Sequence, residues 1–82
     1  MNTGDVKDTI RSYLADSFLS GARAAALRDD EDLLALLDSL QVLRTVIHLE
    51  GAFGIKVEDG DLTPDNLGSV EKLAAFVARK RG

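Results

Sequence analysis

The apolar residues of this 82-residue chain recur at steps of three and four in three separate stretches, and this period restricts the fold more than any other feature. Such spacing places apolar side chains along one side of an α-helix, and that side has to be buried against another element. No stretch shows the strict alternation, bounded by hairpin turns, that is typical of a β-strand. The sequence therefore predicts an all-α fold, with three amphipathic helices packed as a small bundle.

The first predicted helix spans about 4–19 and the second about 39–51. The apolar positions of the first are Val6, Ile10, Tyr13, Leu14 and Phe18. Asp38 precedes the second helix, and its side chain is of the type that caps helix N-termini. Gly51 and Gly54 are expected to end this helix, because glycine accepts the left-handed conformation common at helix C-termini.

The third helix is predicted to begin after Ser69, which would cap it. Between the second and third helices, Gly60 and Pro64 exclude a long element and leave room for one short helical turn around 60–66. The cations at 79–81 lie in the last turn of the third helix, where they favour the negative end of the helix dipole.

Residues 20–38 show weaker periodicity, and we predict a long ordered loop there, between the first two helices. The acidic run at 29–32 favours a solvated loop, because like charges repel, or a role in steering partners at long range. Four leucines are expected to pin the loop to the core: Leu27, Leu33, Leu34 and Leu36. Loops this long without regular structure are uncommon and often functional.

Length and composition predict a single domain over 1–82. The net charge of −4, with no basic face to offset it, argues against nucleic acid as a partner. The absence of cysteine excludes disulfides, thiolate metal sites and cysteine nucleophiles. No apolar run approaches the length of a membrane span, and the first ten residues lack the order of a secretory signal. We therefore expect a cytoplasmic protein with no membrane partner.

The sequence lacks the side chains that would activate a nucleophile or hold a metal ion. His48 is the only histidine, and the residues four before and three after it, Arg44 and Gly51, are not metal ligands. Ser39 lies more than two turns before His48 on the same predicted helix, so the two cannot form a catalytic pair. No Walker or GxGxxG sequence is present. We expect neither an enzymatic activity nor a metal site.

Ser39 lies at the predicted start of the second helix, where free backbone N–H groups and the positive end of the dipole favour an anion. A serine placed there without a base is suited to carrying a group. Asp38 is suited to capping the helix and to holding a divalent cation for an enzyme that modifies the serine, and Leu40 is expected to turn inward to the core. Ordinary helices also begin with Asp-Ser, so the tripeptide alone leaves both interpretations open.

The segment "LLDSLQVLRTVIHLEGAFGIKV" at 36–57 resembles the core of acyl and peptidyl carrier proteins. The residues at 38–40 match the D-S-L motif of that family, and "LE" and "FGI" within 49–55 resemble its exit from the second helix. "NLGSVEKLAAFVARK" at 66–80 resembles its last helix. The resemblance covers about 28–80 by motif and the first helix by pattern.

The resemblance implies a small three-to-four-helix bundle of the acyl carrier protein type, with a long loop between helices 1 and 2. It implies a covalent 4′-phosphopantetheine arm, taken from coenzyme A and attached to Ser39, with Asp38 and Leu40 completing the motif. Acyl or aminoacyl intermediates would be held as thioesters on this arm. The implied partners are a phosphopantetheinyl transferase, an acyl- or aminoacyl-loading ligase and downstream synthase enzymes, acting on a monomeric carrier.

The implied docking surface is the exposed side of the second helix near the serine. Its expected members are Leu37, Gln41, Arg44, Thr45 and His48. Fatty-acid carriers usually have acidic residues along this helix to dock basic enzymes, whereas Gln41 and Arg44 occupy such positions here. Like-charge contact at Arg44 would reject a basic partner.

The stretch "ALLDSL" at 35–40 is closer to the "GLLDS" form of free-standing D-alanyl and aminoacyl carriers. We therefore expect a discrete carrier in a specialised pathway of the polyketide, nonribosomal peptide or D-alanyl type. The alternative is a helical protein-interaction module that binds a partner helix in an apolar groove and has no prosthetic group.

Overall fold

The structure, a computed structural model, describes residues 3–81, and within this part of the chain every regular element is helical. The α-helices are α1 (Thr3–Ser17), α2 (Gly21–Ala26), α3 (Leu33–Leu36), α4 (Ser39–Phe53), α5 (Pro64–Leu67) and α6 (Val70–Arg81). A 3₁₀ turn at Asp59–Asp61 lies between α4 and α5. The all-α prediction is confirmed. Among the helices of residues 3–81, none combines the length and the apolar character that crossing a membrane requires.

The core forms where α1, α4 and α6 pack together, with α1 and α6 in extensive contact. Three apolar residues of α1 are buried, at steps of four along the helix: Val6, Ile10 and Leu14. α6 buries a wider face that consists of Val70, Leu73, Ala74, Phe76 and Val77. Ser69 begins α6 as predicted, because its hydroxyl accepts a hydrogen bond of 3.0 Å from the backbone N–H of Lys72.

Only one of the two glycines expected to end the second helix does so. Gly54 caps α4 in the left-handed conformation, with φ of 64°, and its N–H donates to the carbonyl of Glu50. Gly51 lies inside α4, so the expectation that it ends the helix is wrong. A helix interior tolerates glycine at a modest entropic cost, whereas the positive φ at position 54 requires a residue such as glycine.

The segment 20–38 is ordered, as predicted, but it is not a loop throughout, because two short helices lie there. Ser20 caps α2 through a 3.1 Å hydrogen bond from the N–H of Arg23. Asp32 caps α3 through a 3.0 Å hydrogen bond from the N–H of Leu34. Helices of one or two turns are too short to show a repeating apolar pattern, and their capping side chains compensate by satisfying backbone donors.

Three of the four leucines predicted to pin this segment do so. Leu27 and Leu33 are buried, and Leu36 packs against the core from a half-buried position. The prediction is wrong for Leu34, whose side chain is exposed. Leu34 follows Leu33 on the single turn of α3 and therefore points about 100° away from it.

The corner between α5 and α6 holds the segment that precedes α3. The carbonyl of Gly68 accepts a 2.9 Å hydrogen bond from the N–H of Leu33, and the N–H of Glu71 donates to the carbonyl of Asp29, also at 2.9 Å. Gly68 is tightly enclosed, because a Cβ atom added there would lie 2.6 Å from the carbonyl oxygen of Pro64. The tight packing at Gly68 therefore positions both α6 and α3.

The cations at the end of α6 make specific contacts in addition to their favourable place on the helix dipole. The guanidinium of Arg79 donates to the side chain of Asn66 at 2.7 Å. Lys80 forms a 2.7 Å ion pair with Asp61. These contacts tie the C-terminus of α6 to the segment 59–66, where one short helical turn was expected and two short helical elements, Asp59–Asp61 and α5, are found.

We expect Gly68→Ala to lower the free energy of unfolding by about 1–3 kcal/mol, because the added methyl group has to displace backbone atoms. Gly51→Ala is the matched control. A Cβ atom there meets nothing within 4 Å, and alanine in a helix interior should stabilise by about 0.5–1 kcal/mol. Urea denaturation of both variants checks this, and a Gly68→Ala variant as stable as wild type or as Gly51→Ala would contradict it.

Candidate functional site

Ser39 is the first residue of α4, and its side chain is exposed. Its hydroxyl makes no hydrogen bond to any residue in the described part of the chain. The preceding turn brings the chain out of α3, through Leu37, in an extended conformation, so α4 starts at the surface. The serine predicted at a helix start therefore lies there, with its oxygen accessible.

Asp38 and Gln41 form a capping box around Ser39, which confirms Asp38 as the N-cap. The carboxylate of Asp38 accepts a 2.8 Å hydrogen bond from the backbone N–H of Gln41. The side-chain oxygen of Gln41 accepts a 3.1 Å hydrogen bond from the backbone N–H of Asp38. These two hydrogen bonds fix the first turn of α4 in one conformation.

Two backbone N–H groups in the first turn of α4 remain without an acceptor within the helix. The capping box satisfies the N–H of Gln41, but helix geometry provides no acceptor for the N–H groups of Ser39 and Leu40. These groups and the positive end of the dipole of a 15-residue helix favour negative charge beside the serine oxygen. A phosphodiester on Ser39 would be stabilised there, so the residues present fit such a group.

The prediction that Leu40 turns inward is wrong, because 57% of this residue is exposed. Leu37 lies inward instead, at 7% exposure. The reason is the phase of α4, which buries Leu49. Position 40 is nine residues, or two and a half turns, away from position 49 and therefore lies on the opposite side of the helix.

Two of the five residues predicted for the docking surface are buried. Leu37 belongs to the core, and Thr45 is 2% exposed with its hydroxyl donating to the carbonyl of Gln41 at 2.9 Å. Their placement on an exposed docking surface is therefore wrong. Thr45 occupies the buried side of α4 beside Val46 and Leu49, where the hydrogen bond to the backbone satisfies its hydroxyl.

The other three predicted docking residues are accessible to different degrees. Gln41 is half-buried and its side chain is held in the capping box. Arg44 and His48 are exposed, one turn apart on α4. The ring of His48 stacks on that of Tyr13 from α1, with the ring centroids 4.2 Å apart. Their role in docking stays a prediction.

Besides Leu40, two further apolar residues of α4 are exposed that were not singled out from the sequence, namely Leu43 and Ile47. The signal that would have identified them is the width of the apolar arc in this helix. Apolar residues at six of the ten positions from 40 to 49 cover more of the circumference than a small bundle can bury.

An apolar groove of ≈ 450 Å³ opens beside Ser39. It lies between α3, α4 and the segment leading into α5. Its lining residues are Leu34, Leu37, Ser39, Val42, Leu43, Leu62 and Leu67. Ser39 is the polar member of this set, so the hydroxyl lies at the edge of an otherwise apolar recess.

The acidic run that precedes the site is a turn open to solvent, as expected, and it is also held by ion pairs and a cap. Asp29 binds Lys7 at 2.8 Å and also Arg11, both from α1, and Glu31 binds Arg23 of α2. The hydrogen bonds from Lys7 and then Arg11 lower the pKa of Asp29. The hydrogen bond from Arg23 likewise lowers the pKa of Glu31.

These contacts matter for the site because they fix the segment from which α3 begins. Asp29 joins α1 to this segment through its carboxylate and receives the N–H of Glu71 from α6 on its carbonyl. α3 then leads within two residues to Ser39. The position of the serine thus depends on hydrogen bonds that originate in α1 and α6.

A family model described as the phosphopantetheine attachment site matches residues 8–77. The matched span contains most of α1, the whole of α4 and the apolar groove. No match was found among curated proteins.

We expect Asp38→Ala to lower the free energy of unfolding by about 1 kcal/mol, because the N–H of Gln41 loses its acceptor. Asp38→Asn is the matched control, since asparagine caps helices about as well as aspartate. Chemical denaturation measures both. If both substitutions cost the same, the effect comes from charge and not from the cap.

We expect Asp29→Asn to destabilise the protein at neutral pH and to lose this effect in acid. The pKa of Asp29 is depressed in the folded state, so its stabilising contribution is fully present above the ordinary value of 3.8 and disappears as the pH falls through the lower folded value. Urea midpoints measured from neutral pH down to below 3.8 test this. Asp30→Asn is the control, because the ion pair of Asp30 with Arg28 is largely exposed and should contribute little.

Proposed function

Because the chain belongs to the phosphopantetheine-attachment family of acyl and peptidyl carrier proteins, we propose that Ser39 is the residue that carries its arm. Members of this family carry covalently attached 4′-phosphopantetheine and are carriers, not catalysts. The resemblance seen in the sequence is thereby confirmed at the level of the family, and a carrier is favoured over an interaction module without a prosthetic group. The observation that supports Ser39 is its exposed hydroxyl at the start of α4.

Comparison with the other serines in the matched span supports the same choice. Ser69 is buried, and both Ser69 and Ser20 use their hydroxyls as helix caps. Ser17 is the last residue of α1, and Ser12 lies within that helix. Neither has the free N–H groups of a helix start beside it. Ser39 alone among them combines an unengaged hydroxyl with the N-terminus of a long helix.

In the proposed modification the hydroxyl of Ser39 attacks the phosphorus of coenzyme A that bears the pantetheine. The new bond joins this phosphorus to Oγ, the phosphoanhydride bond breaks, adenosine 3′,5′-bisphosphate leaves and the hydroxyl proton passes to a base of the transferase. Oδ1 of Asp38 is engaged by the N–H of Gln41, which leaves Oδ2 available to a divalent cation of the transferase. When bound, the arm supplies a thiol that holds acyl or aminoacyl groups as thioesters.

The tether is the physical advantage of such a carrier. A cargo attached at Ser39 meets each docked enzyme at a high effective concentration, so weak docking is sufficient. Besides the phosphopantetheinyl transferase, the proposed partners are a loading ligase and downstream synthase enzymes. A specialised polyketide, nonribosomal peptide or D-alanyl-type pathway is supported by the charge of α4. Arg44 is exposed near Ser39, whereas Glu50, the one acid of this helix, lies at its other end and accepts a hydrogen bond from the N–H of Val57.

The groove beside Ser39 bears on the cargo. Every other lining residue is a leucine or a valine, so a charged cargo would lose its hydration there without gaining a partner. An aliphatic or aromatic acyl group would bury apolar surface instead. Among the cargoes of specialised pathways, we therefore favour an uncharged apolar acyl group over a small aminoacyl group.

The decisive experiment is intact-mass measurement after incubation with coenzyme A and a broad-specificity phosphopantetheinyl transferase. We expect wild type to gain one phosphopantetheine and Ser39→Ala to gain none. Ser17→Ala is the matched control, because Asp16-Ser17-Phe18 repeats the order of residues around Ser39 at the end of a helix. An unmodified wild type, or a modified Ser39→Ala variant, would refute the assignment.

A further inference from the structure

One side of α4 is apolar and points to solvent. We define the outer face of α4 as Leu40, Leu43, Arg44 and Ile47. Leu40 and Ile47 are each 57% exposed and Leu43 is 42% exposed. The spacing of three, four and seven residues places these side chains on one stripe of the helix, opposite the buried Leu49. Exposed large apolar side chains grouped in this way mark an interaction surface.

The charge on this face has one sign. Arg44 is exposed in the middle of the stripe and forms no ion pair with any of residues 3–81. The one acid of α4, Glu50, is half-buried and accepts a 2.8 Å hydrogen bond from the N–H of Val57. The outer face therefore offers apolar contact and a single cation, with no carboxylate of its own.

The outer face begins at the residue that follows Ser39. The transferase that attaches a group to the hydroxyl of Ser39 has to approach this end of α4. A partner that covers Leu40 and Ile47 also covers Arg44, which lies between them on the helix. Burying a guanidinium without an acceptor is costly, so the partner has to supply one.

We propose that partner enzymes bind the outer face of α4 through an apolar recess that carries a carboxylate opposite Arg44. This rests on the proposed role of Ser39 and specifies the chemistry of the partner. The apolar contact supplies most of the affinity, and the arginine–carboxylate pair fixes the register of docking. A basic docking surface is rejected, because it would place a cation against Arg44.

Charge also argues against a second copy of the chain as the partner that covers the outer face of α4. A two-fold contact between outer faces would be self-complementary in position and would bring two Arg44 side chains into one small apolar interface. Neither chain provides a carboxylate on this face to separate them. The partner is therefore a different protein.

Two transferases of known structure serve as probes, one with an apolar, carboxylate-bearing carrier site and one with a basic carrier site. We expect Ile47→Asp to lower kcat/KM for the first about tenfold, because a charge enters the apolar contact. Arg44→Glu should lower kcat/KM for the first transferase and raise it for the second. Intact mass measures the rates, and unchanged circular dichroism and melting temperature verify that both variants fold.

Two control variants separate the outer face from a general effect of charge. Ala75→Asp introduces an acid at an exposed position of α6, and Lys56→Glu makes the same charge reversal outside α4. Both should leave the two rates within about twofold of wild type. Equal rates for Ile47→Asp and wild type, or equal losses in Ile47→Asp and Ala75→Asp, would overturn the proposal. So would a wild-type dimer in size-exclusion chromatography that Ile47→Asp dissociates.

The two proposals fail in different ways. If Ser39 is not the attachment site, the mass of wild type does not change with either transferase, or Ser39→Ala gains mass. If the attachment site is correct and the docking proposal is wrong, wild type is modified at Ser39 while the substitutions on the outer face have no selective effect on the rates.

Discussion

The arrangement of the site depends on the pair of hydrogen bonds with which Asp38 and Gln41 begin α4. They stop the chain from continuing as a loop and start a 15-residue helix at one defined residue. The starting residue defines where α4 begins, and packing against α1 and α6 then turns Thr45, Val46 and Leu49 into the core while Leu40 and Ile47 remain outside.

The capping box would not position Ser39 without the contacts that hold the chain before it. α3 is a single turn, and an isolated helix of that length is unstable in water. Its place is set by Asp29, which binds two cations of α1, and by the hydrogen bond from Leu33 to Gly68. Ion pairs and backbone hydrogen bonds thus add to the burial of Leu27 and Leu33 in holding α2 and α3, whereas α1 and α6 each bury a continuous apolar face.

The sequence predicted α1, α4 and α6 because each buries a stripe long enough to repeat its period, as Val6, Ile10 and Leu14 do. It did not predict α2 and α3 as helices, because contacts distant in the chain hold this segment, such as Lys7 for Asp29 and Gly68 for Leu33. The motif around Ser39 was visible because its contacts are local. The exposure of Leu40 and the burial of Thr45 were not, since they depend on how α4 rotates against the other helices.

The apolar residues around Ser39 form two surfaces, the groove and the outer face of α4, and the two are proposed to bind different things. Leu43 borders both, with the groove on one side and the outer face of α4 on the other. Under the two proposals, a cargo in the groove would have to leave it when an enzyme acts, whereas a partner on the outer face would have to arrive at that moment. Because both surfaces share Leu43, a partner that contacts this side chain also contacts the wall of the groove. Docking and release of the cargo would then be coupled through one residue, without any change in the core that supports α4.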